Sequence, residues 1–304
     1  MNSSKTNTLV VIVGPTAIGK TALSIALAQH FNSPIVSCDS RQFYKEMRIG
    51  TAVPNDEELN AAPHYCIQNR SIFEDYSVGQ FEADALALLD TLFQKHSLVV
   101  MVGGSGLYVD AVTKGLDYFP AVDPEIRKEL IKRLENEGIE KLQQELSTLD
   151  PESYQSIAID NPHRLVRALE ICKGTGKPFS SFKTNHKSKR PFTTLTIGLD
   201  ADRALVYERI NQRVDQMIAQ GLVEEAKTLH PYKTLNALQT VGYKELFEYF
   251  EGHTTLAVAI EEIKKNTRRF AKRQGTWFRK DNTIQWFDYQ TPVQEILKSI
   301  EVKL

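Results

Sequence analysis

The sequence predicts an α/β fold in which helices flank a parallel sheet and a small helical domain is inserted between two parts of the core. Three observations lead there: short unbroken apolar runs ending in glycine or aspartate, helical periodicity between those runs, and a mid-chain block of polar helices punctuated by proline and glycine. A length of 304 residues, 41% hydrophobic and 25% charged, suits one large domain or two modest ones. Leu9 to Val13 is the first apolar run and ends in a glycine loop; TALSIALAQHF behind it reads as helix from its Ala and Leu content and its spacing. Ile35 to Cys38 reads as a second strand ending at Asp39, and Leu98 to Val102 as a third running into Gly103-Gly104. Continuous apolar strands between helices belong to a parallel sheet covered on both faces. Thr193 to Leu199, alternating Thr with Leu and Ile, is a further strand.

From Phe119 to Arg190 the pattern turns to polar helices. Asp123 and Asn161 precede Pro124 and Pro162, the arrangement of a helix cap followed by proline in the first turn, and Gly138 and Gly174 read as helix stops. Residues 1–118 and 191–304 are therefore assigned to the core and 119–190 to the insertion. Helices return in RALVYERINQRVDQMIAQG and TTLAVAIEEIKKNTRRFAKRQGTWFRK, and GKPFSSFKTNHKSKRP is the loop-like cationic stretch between.

Thirty-seven basic against thirty-eight acidic residues leave a formal charge of −1, so a nucleic-acid surface, if present, is local. Cys38, Cys66 and Cys172 are odd in number and widely spaced, which disfavours a zinc ribbon, a redox pair or a secreted disulfide framework and suits a reducing cytosol. The five-residue apolar run near the start is too short for a signal-peptide core or a membrane span, so the chain is expected to stay where it is made.

Gly14, Pro15, Thr16, Ala17, Ile18, Gly19, Lys20 and Thr21 spell G-x-x-x-x-G-K-[ST] between a strand and a helix, which makes the core P-loop NTPase-like. Such a loop turns backbone N–H groups and a helix N-terminus onto a diphosphate; Lys20 adds a charge and the Thr21 hydroxyl can hold Mg²⁺. A nucleotide hydrolase would end a neighbouring strand in a magnesium-binding aspartate, whereas here the third strand ends in Gly103-Gly104-Ser105-Gly106, which disfavours ATP or GTP turnover. Asp39 is the carboxylate left at a strand end and faces the ligand crevice, although aspartate there also forms turns. Leu107 breaks the G-x-S-x-G pattern of a hydrolase nucleophile, so Ser105 is read as a donor to phosphate or substrate, or as part of a plain turn. Arg209 and Arg213 share a helix face, as Arg164 and Arg167 nearly do; either pair can be a solvated face or can close on phosphate. Between Glu261 and Lys280 the bases Lys264, Lys265, Arg268, Arg269, Lys272, Arg273, Arg279 and Lys280 outnumber the acids, and Ile263, Thr267, Phe270 and Trp277 or Phe278 fall at helical spacing. This predicts a cationic stripe opposite a buried side, the footprint of a polynucleotide backbone, with a merely solvated helix face, which would mix its charge signs, as the alternative.

In order and spacing, GPTAIGKT, SCDSRQFYKEMRIGTAVP, VGGSGLY, NPHRLVRALE, QRVDQMIAQGLVEE, LQTVGYKEL and RRFAKRQGTWFRK resemble the tRNA dimethylallyltransferases of bacterial type, from about Val10 to Trp286. The resemblance implies transfer of a dimethylallyl group from dimethylallyl diphosphate to N6 of the adenosine 3′ of the tRNA anticodon, with Mg²⁺ as cofactor. It implies a monomeric cytoplasmic enzyme whose partners are the donor and the anticodon stem-loop, with no membrane. Carried over by position, residues 14 to 21 hold the diphosphate, Asp39 is the general base, Arg213 stabilises the diphosphate, and Ser105 takes the place of the threonine usual in the family's GGTG loop. The tRNA contacts fall on Asp39, Ser40, Arg41, Gln42, Ser105, Arg127, His163, Arg164, Leu165, Val166 and Arg167, with Gln239, Gly242, Tyr243, Lys244, Arg269 and Arg273 lining the way in. Val53 stands where lysine is common and Phe43 where a β-branched aliphatic is usual; the zinc finger of eukaryotic relatives is missing. The readings from other classes are a P-loop kinase of a small metabolite or nucleotide, an RNA-binding module without activity, and a prenyltransferase of free adenine nucleotides.

Overall fold

A computed structural model describes residues 7–183 and 189–304. The chain forms two compact units, one comprising Met1–Lys114 with Lys189–Leu304 and the other Gly115–Ser188. Of the cationic GKPFSSFKTNHKSKRP stretch, residues 184–188 lie outside those described.

The first unit is a six-stranded, wholly parallel sheet in the order β3-β2-β4-β1-β5-β6. Its strands are β1 (Thr8–Val13), β2 (Ile35–Ser37), β3 (His64–Tyr65), β4 (Leu98–Val102), β5 (Thr193–Asp200) and β6 (Gln285–Asp288). Along β1, Val10 and Ile12 face one side, where they join Val100, Ile197, Leu27 and Ile210; Leu9, Val11 and Val13 face the other, with Met101, Phe81 and Leu89. Alternate residues of a strand point to opposite faces, so an unbroken apolar run buries both. Helices α1 (Lys20–Phe31), α3 (Val78–Phe93), α4 (Gly106–Lys114), α9 (Arg203–Ala219) and α13 (Val293–Glu301) cover those faces, while α2 (Asp56–Ala61) is a single capped turn. A third cluster, centred on Tyr243, Leu246 and Ile263, packs α10 (Leu222–Leu229), α11 (Tyr243–Phe250) and α12 (Leu256–Phe278) against Tyr44 and Met47. Phe43 is a core residue with its ring 5.3 Å from that of Phe81.

β3 and β6 were not foreseen. They are two and four residues long and carry little periodicity; pairing with β2 and β5 makes them strands.

The second unit contains α5 (Pro124–Glu137), α6 (Ile139–Leu149), α7 (Pro151–Ser156) and α8 (Pro162–Thr175) around Leu130, Leu142, Leu146, Leu165 and Leu169. Its helix starts follow the expected chemistry: Asp123 accepts from the Glu125 N–H, and Asn161 from the N–H groups of His163 and Arg164. Gly138 ends α5 as expected, but Gly174 does not end α8; the left-handed stop is Gly176, at φ 69°. Gly174 is glycine because of a neighbour, since a Cβ there would lie 2.4 Å from Val122 Cγ1.

Candidate active site

The sheet order sets β2, β4 and β1 side by side, so the loops leaving their carboxyl ends meet at one edge, where α/β sheets bind ligands. A cavity of about 770 Å³ opens there, lined by Thr16 to Thr21, Asp39, Gly103, Gly104, Arg209, Arg213, Glu58, Arg48, Ile49 and the segment from Thr51 to Asn55.

After β1 the backbone turns through Gly14, at φ 144°, where a Cβ would stand 2.4 Å from the Leu199 carbonyl oxygen; only glycine fits. Lys20 opens α1 and its ammonium donates to the carbonyls of Gly14 (3.0 Å) and Pro15 (2.7 Å). Burial, reinforced by the neighbouring Arg213, lowers the Lys20 pKa to about 8 against the opposing pull of Asp39. Arg213 is itself lowered by burial, with Asp39 and Glu58 pulling the other way. On the same face of α9, Arg209 donates to the Ala17 carbonyl at 2.8 Å and stacks over Tyr289. Of the two readings of this arginine pair, the structure selects the one that faces the phosphate loop.

Asp39 lines the cavity and also caps its own turn, accepting from the Arg41 N–H at 2.9 Å. Both sequence readings therefore hold for one side chain, one carboxylate oxygen fixing its orientation. Next to it in the chain, burial pushes the Cys38 thiol far up, so this cysteine stays a neutral core residue. Ser105 is tied into a turn, one of its two readings: its hydroxyl accepts from the Ser40 N–H and donates to the Ser40 hydroxyl, each at 3.1 Å, while Gly103 and Gly104 line the cavity. It braces the turn carrying Asp39.

Gln42 pins the opposite wall. Its amide donates to the carbonyls of Thr51 (3.3 Å) and Ala52 (3.0 Å) and its oxygen accepts from Ser37. The near end of that wall hangs on Glu225, whose carboxylate accepts the N–H groups of Arg48, Ile49 and Gly50 together with the Tyr243 hydroxyl. Val53 lines the cavity as part of this segment.

Residues 42–281 match the IPP transferase family. The chain belongs to that family. It is 59% identical over 298 residues to the tRNA dimethylallyltransferase of Flavobacterium johnsoniae, covering 96% of each, and 60% identical over 298 residues to that of Christiangramia forsetii, covering 98% of this chain and 99% of the relative. Among solved structures it is similar to the tRNA isopentenylpyrophosphate transferase of Bacillus halodurans, with TM-score 0.73, 38% identity, and 98% of this chain and 96% of the other covered. It is also similar to a eukaryotic dimethylallyltransferase captured acting on tRNA, with TM-score 0.78 and 26% identity over 94% of this chain and 74% of that one.

Within this IPP transferase, the structure brings together the phosphate loop, Asp39, Gln42 and Arg213, and sets other expected residues apart from any surface role. Tyr243 is fully buried, and Leu165 and Val166 lie in the core of the helical unit, so all three pack rather than present a side chain to RNA. Gly242 is buried ahead of Tyr243, while Gln239 and Lys244 are exposed. In the helical unit, His163 and Arg164 are exposed and Arg127 and Arg167 both donate to the buried Glu170 carboxylate, at 3.0 and 3.1 Å.

On α12 the buried face is Ala259, Ile263, Ala271, Gln274 and Phe278; of the alternatives Trp277 or Phe278 it is Phe278 that is inside, whereas Phe270, expected inside, is exposed. Arg273 stacks on Phe270, and Trp277 donates to Asp110. Lys264, Lys265 and Arg279 form ion pairs and Arg268 donates to Asn211; Arg269, Lys272, Arg273 and Lys280, like the paired Arg279, are exposed on the same stretch. The cationic patch is thus narrower than eight residues. Sequence reasoning missed Gln274, Glu225 and Glu58. Gln274 did carry a signal, an uncharged polar residue at helical spacing from Ile263 and Phe278 on the buried side.

Proposed function

We propose that this chain transfers the dimethylallyl group of dimethylallyl diphosphate to N6 of the adenosine 3′ of a tRNA anticodon, releasing diphosphate. The observation that carries the reading is one cavity in which Lys20 and Arg213 face Asp39, in a chain of the IPP transferase family with near-full-length relatives named tRNA dimethylallyltransferase. The N–H groups leading into α1, the helix N-terminus, Lys20 and Arg213 suit a diphosphate leaving group, because its charge grows as the allylic C–O bond breaks. Allylic carbon tolerates developing positive charge, so no covalent enzyme intermediate is required, in keeping with the inert Cys38. The new C–N bond forms at N6, whose lone pair is delocalised into the ring; Asp39 takes the proton that leaves, a contribution of about 10²- to 10⁴-fold.

Hard oxygen donors suit Mg²⁺. Thr21, Asp39 and Glu58 all line the cavity, and Thr21 beside the diphosphate is the residue to hold the ion, which would neutralise further charge on the leaving group. The exposed Arg269, Lys272, Arg273 and Lys280 supply a surface for the RNA backbone, and the target base must leave its stack to reach Asp39. The test is incubation with labelled dimethylallyl diphosphate, Mg²⁺ and unmodified tRNA, followed by nucleoside mass analysis. Prenylated adenosine is expected; an unmodified tRNA together with ATP-dependent phosphorylation of a small molecule would replace this reading with the kinase.

A further inference from the structure

The catalytic account uses residues that line the cavity, yet one buried polar side chain behind its wall joins two of the loops. Gln274 is 6% exposed, on the inner face of α12. Its Oε1 accepts the Thr16 N–H at 3.0 Å and its Nε2 donates to the Gly104 carbonyl at 3.0 Å. The partners settle the orientation of the amide: reversed, it would set donor against donor and acceptor against acceptor. Gly104 leaves room for it, since a Cβ there would lie 2.1 Å from Nε2. The residues flanking Gln274 on the helix are anchored separately, Ala271 in the cluster on one face of the sheet and Phe278 in the cluster on the other. The amide therefore has little freedom to move with one loop alone.

We propose that Gln274 is a positioning residue that holds the phosphate loop and the glycine loop at a fixed separation, so that the diphosphate and the turn carrying Asp39 stay in reacting geometry. The inference rests on the prenyl-transfer reading. Thr16 lies at the front of the phosphate loop, and its N–H is committed to Gln274 rather than turned inward, leaving the cradle to the amides after it. Gly104 precedes Ser105, which braces Ser40 next to Asp39. One carboxamide thus spans the donor and acceptor sides of the cavity, and it stands on the helix whose outer face carries the cationic patch.

The chemistry of the tie distinguishes positioning from mere packing. Gln274→Leu keeps apolar bulk and removes both hydrogen bonds. Gln274→Glu keeps the acceptor for Thr16 but, when ionised, sets a carboxylate oxygen against the Gly104 carbonyl; once protonated it donates there and restores the pair. The expected results are a fall in kcat of about 10²-fold for Gln274→Leu, the scale of a small misplacement of reacting groups, with tRNA affinity unchanged. For Gln274→Glu, the ratio of its kcat to that of the unaltered protein should rise as pH is lowered from about 8 to about 6, since a buried carboxyl titrates above its ordinary range. Gly104→Ala, which displaces the amide, should fall with Gln274→Leu. Hydrogen exchange of the Thr16 amide, which needs no activity, should quicken in Gln274→Leu. Undiminished transfer by Gln274→Leu, a flat pH ratio for Gln274→Glu, or unchanged Thr16 exchange would each overturn the proposal. Absence of tRNA prenylation by the unaltered protein would instead remove the functional reading, with the exchange result still reporting on the tie.

Discussion

In the helical unit two buried carboxylates are held by local partners. Asp150, 1% exposed, accepts from the Ser153 and Ser180 N–H groups and the Ser180 hydroxyl, and Glu170 is held by two arginines. Around the cavity of the core, two cations are enclosed side by side, Lys20 with its pKa lowered to about 8 and Arg213 lowered by burial, with Asp39 opposing both shifts. Saturated groups define a shape; like charges confined together raise the affinity of the space between them for an anion. The contrast separates residues whose loss unfolds from residues whose loss stops chemistry.

The largest effect expected is at Asp39. Asp39→Asn should lower prenyl transfer by about 10²- to 10⁴-fold, the range for losing a general base, while the tRNA dissociation constant stays put in a filter-binding titration. Unchanged turnover would move Asp39 from the chemical to the structural side of the contrast. Next comes salt: with about four phosphate contacts from the exposed Arg269, Lys272, Arg273 and Lys280, tRNA affinity should drop about 10²-fold between about 50 and 200 mM monovalent salt. A salt-independent affinity would take the patch out of RNA binding.

A smaller effect concerns pH. A lysine lowered to about 8 loses its positive charge as pH rises through that value, so the donor KM should climb above about pH 8, by at most about tenfold per pH unit. A KM flat to pH 9.5, where an ordinary lysine still carries its proton, would place Lys20 away from the diphosphate. The smallest effect on catalysis should come from the helical unit. Asp150→Ala is expected to destabilise by about 1–3 kcal/mol, the cost of leaving buried donors unpaired, read as a lower midpoint in denaturant with turnover per folded molecule intact. Burial raises the Asp150 pKa, but the hydrogen bonds from Ser153 and Ser180 outweigh it and the net shift is down. Its contribution is therefore present above the ordinary carboxyl value near 4 and is lost as pH falls through the lower folded value. A stability difference between the parent and Asp150→Ala that does not shrink as pH falls below the ordinary carboxyl value would contradict that sign.

Legibility followed the range of the interactions. Strand β4 was readable to the residue from its apolar run, and the caps at Asp123 and Asn161 from two adjacent letters, because each depends on neighbours within a turn or a strand. Gly174 misled because its reason lies at Val122, remote in sequence. Phe270 was placed inside α12 and is outside because spacing leaves the angle of a stripe uncertain by one residue, and what packs against the helix chooses.

The amino-acid order alone specified a phosphate-binding loop after the first strand, a carboxylate after the second and the helix starts of the insertion, all consequences of local backbone chemistry. Only the packed molecule could decide that Gln274 joins Thr16 to Gly104, that Glu225 suspends the wall at Arg48 to Gly50, and that Ser105 braces Ser40. Those partners stand from 65 to 258 residues apart. A hydrogen bond across such distances leaves no periodic trace in the chain; it exists because the sheet brings its strand ends to one edge.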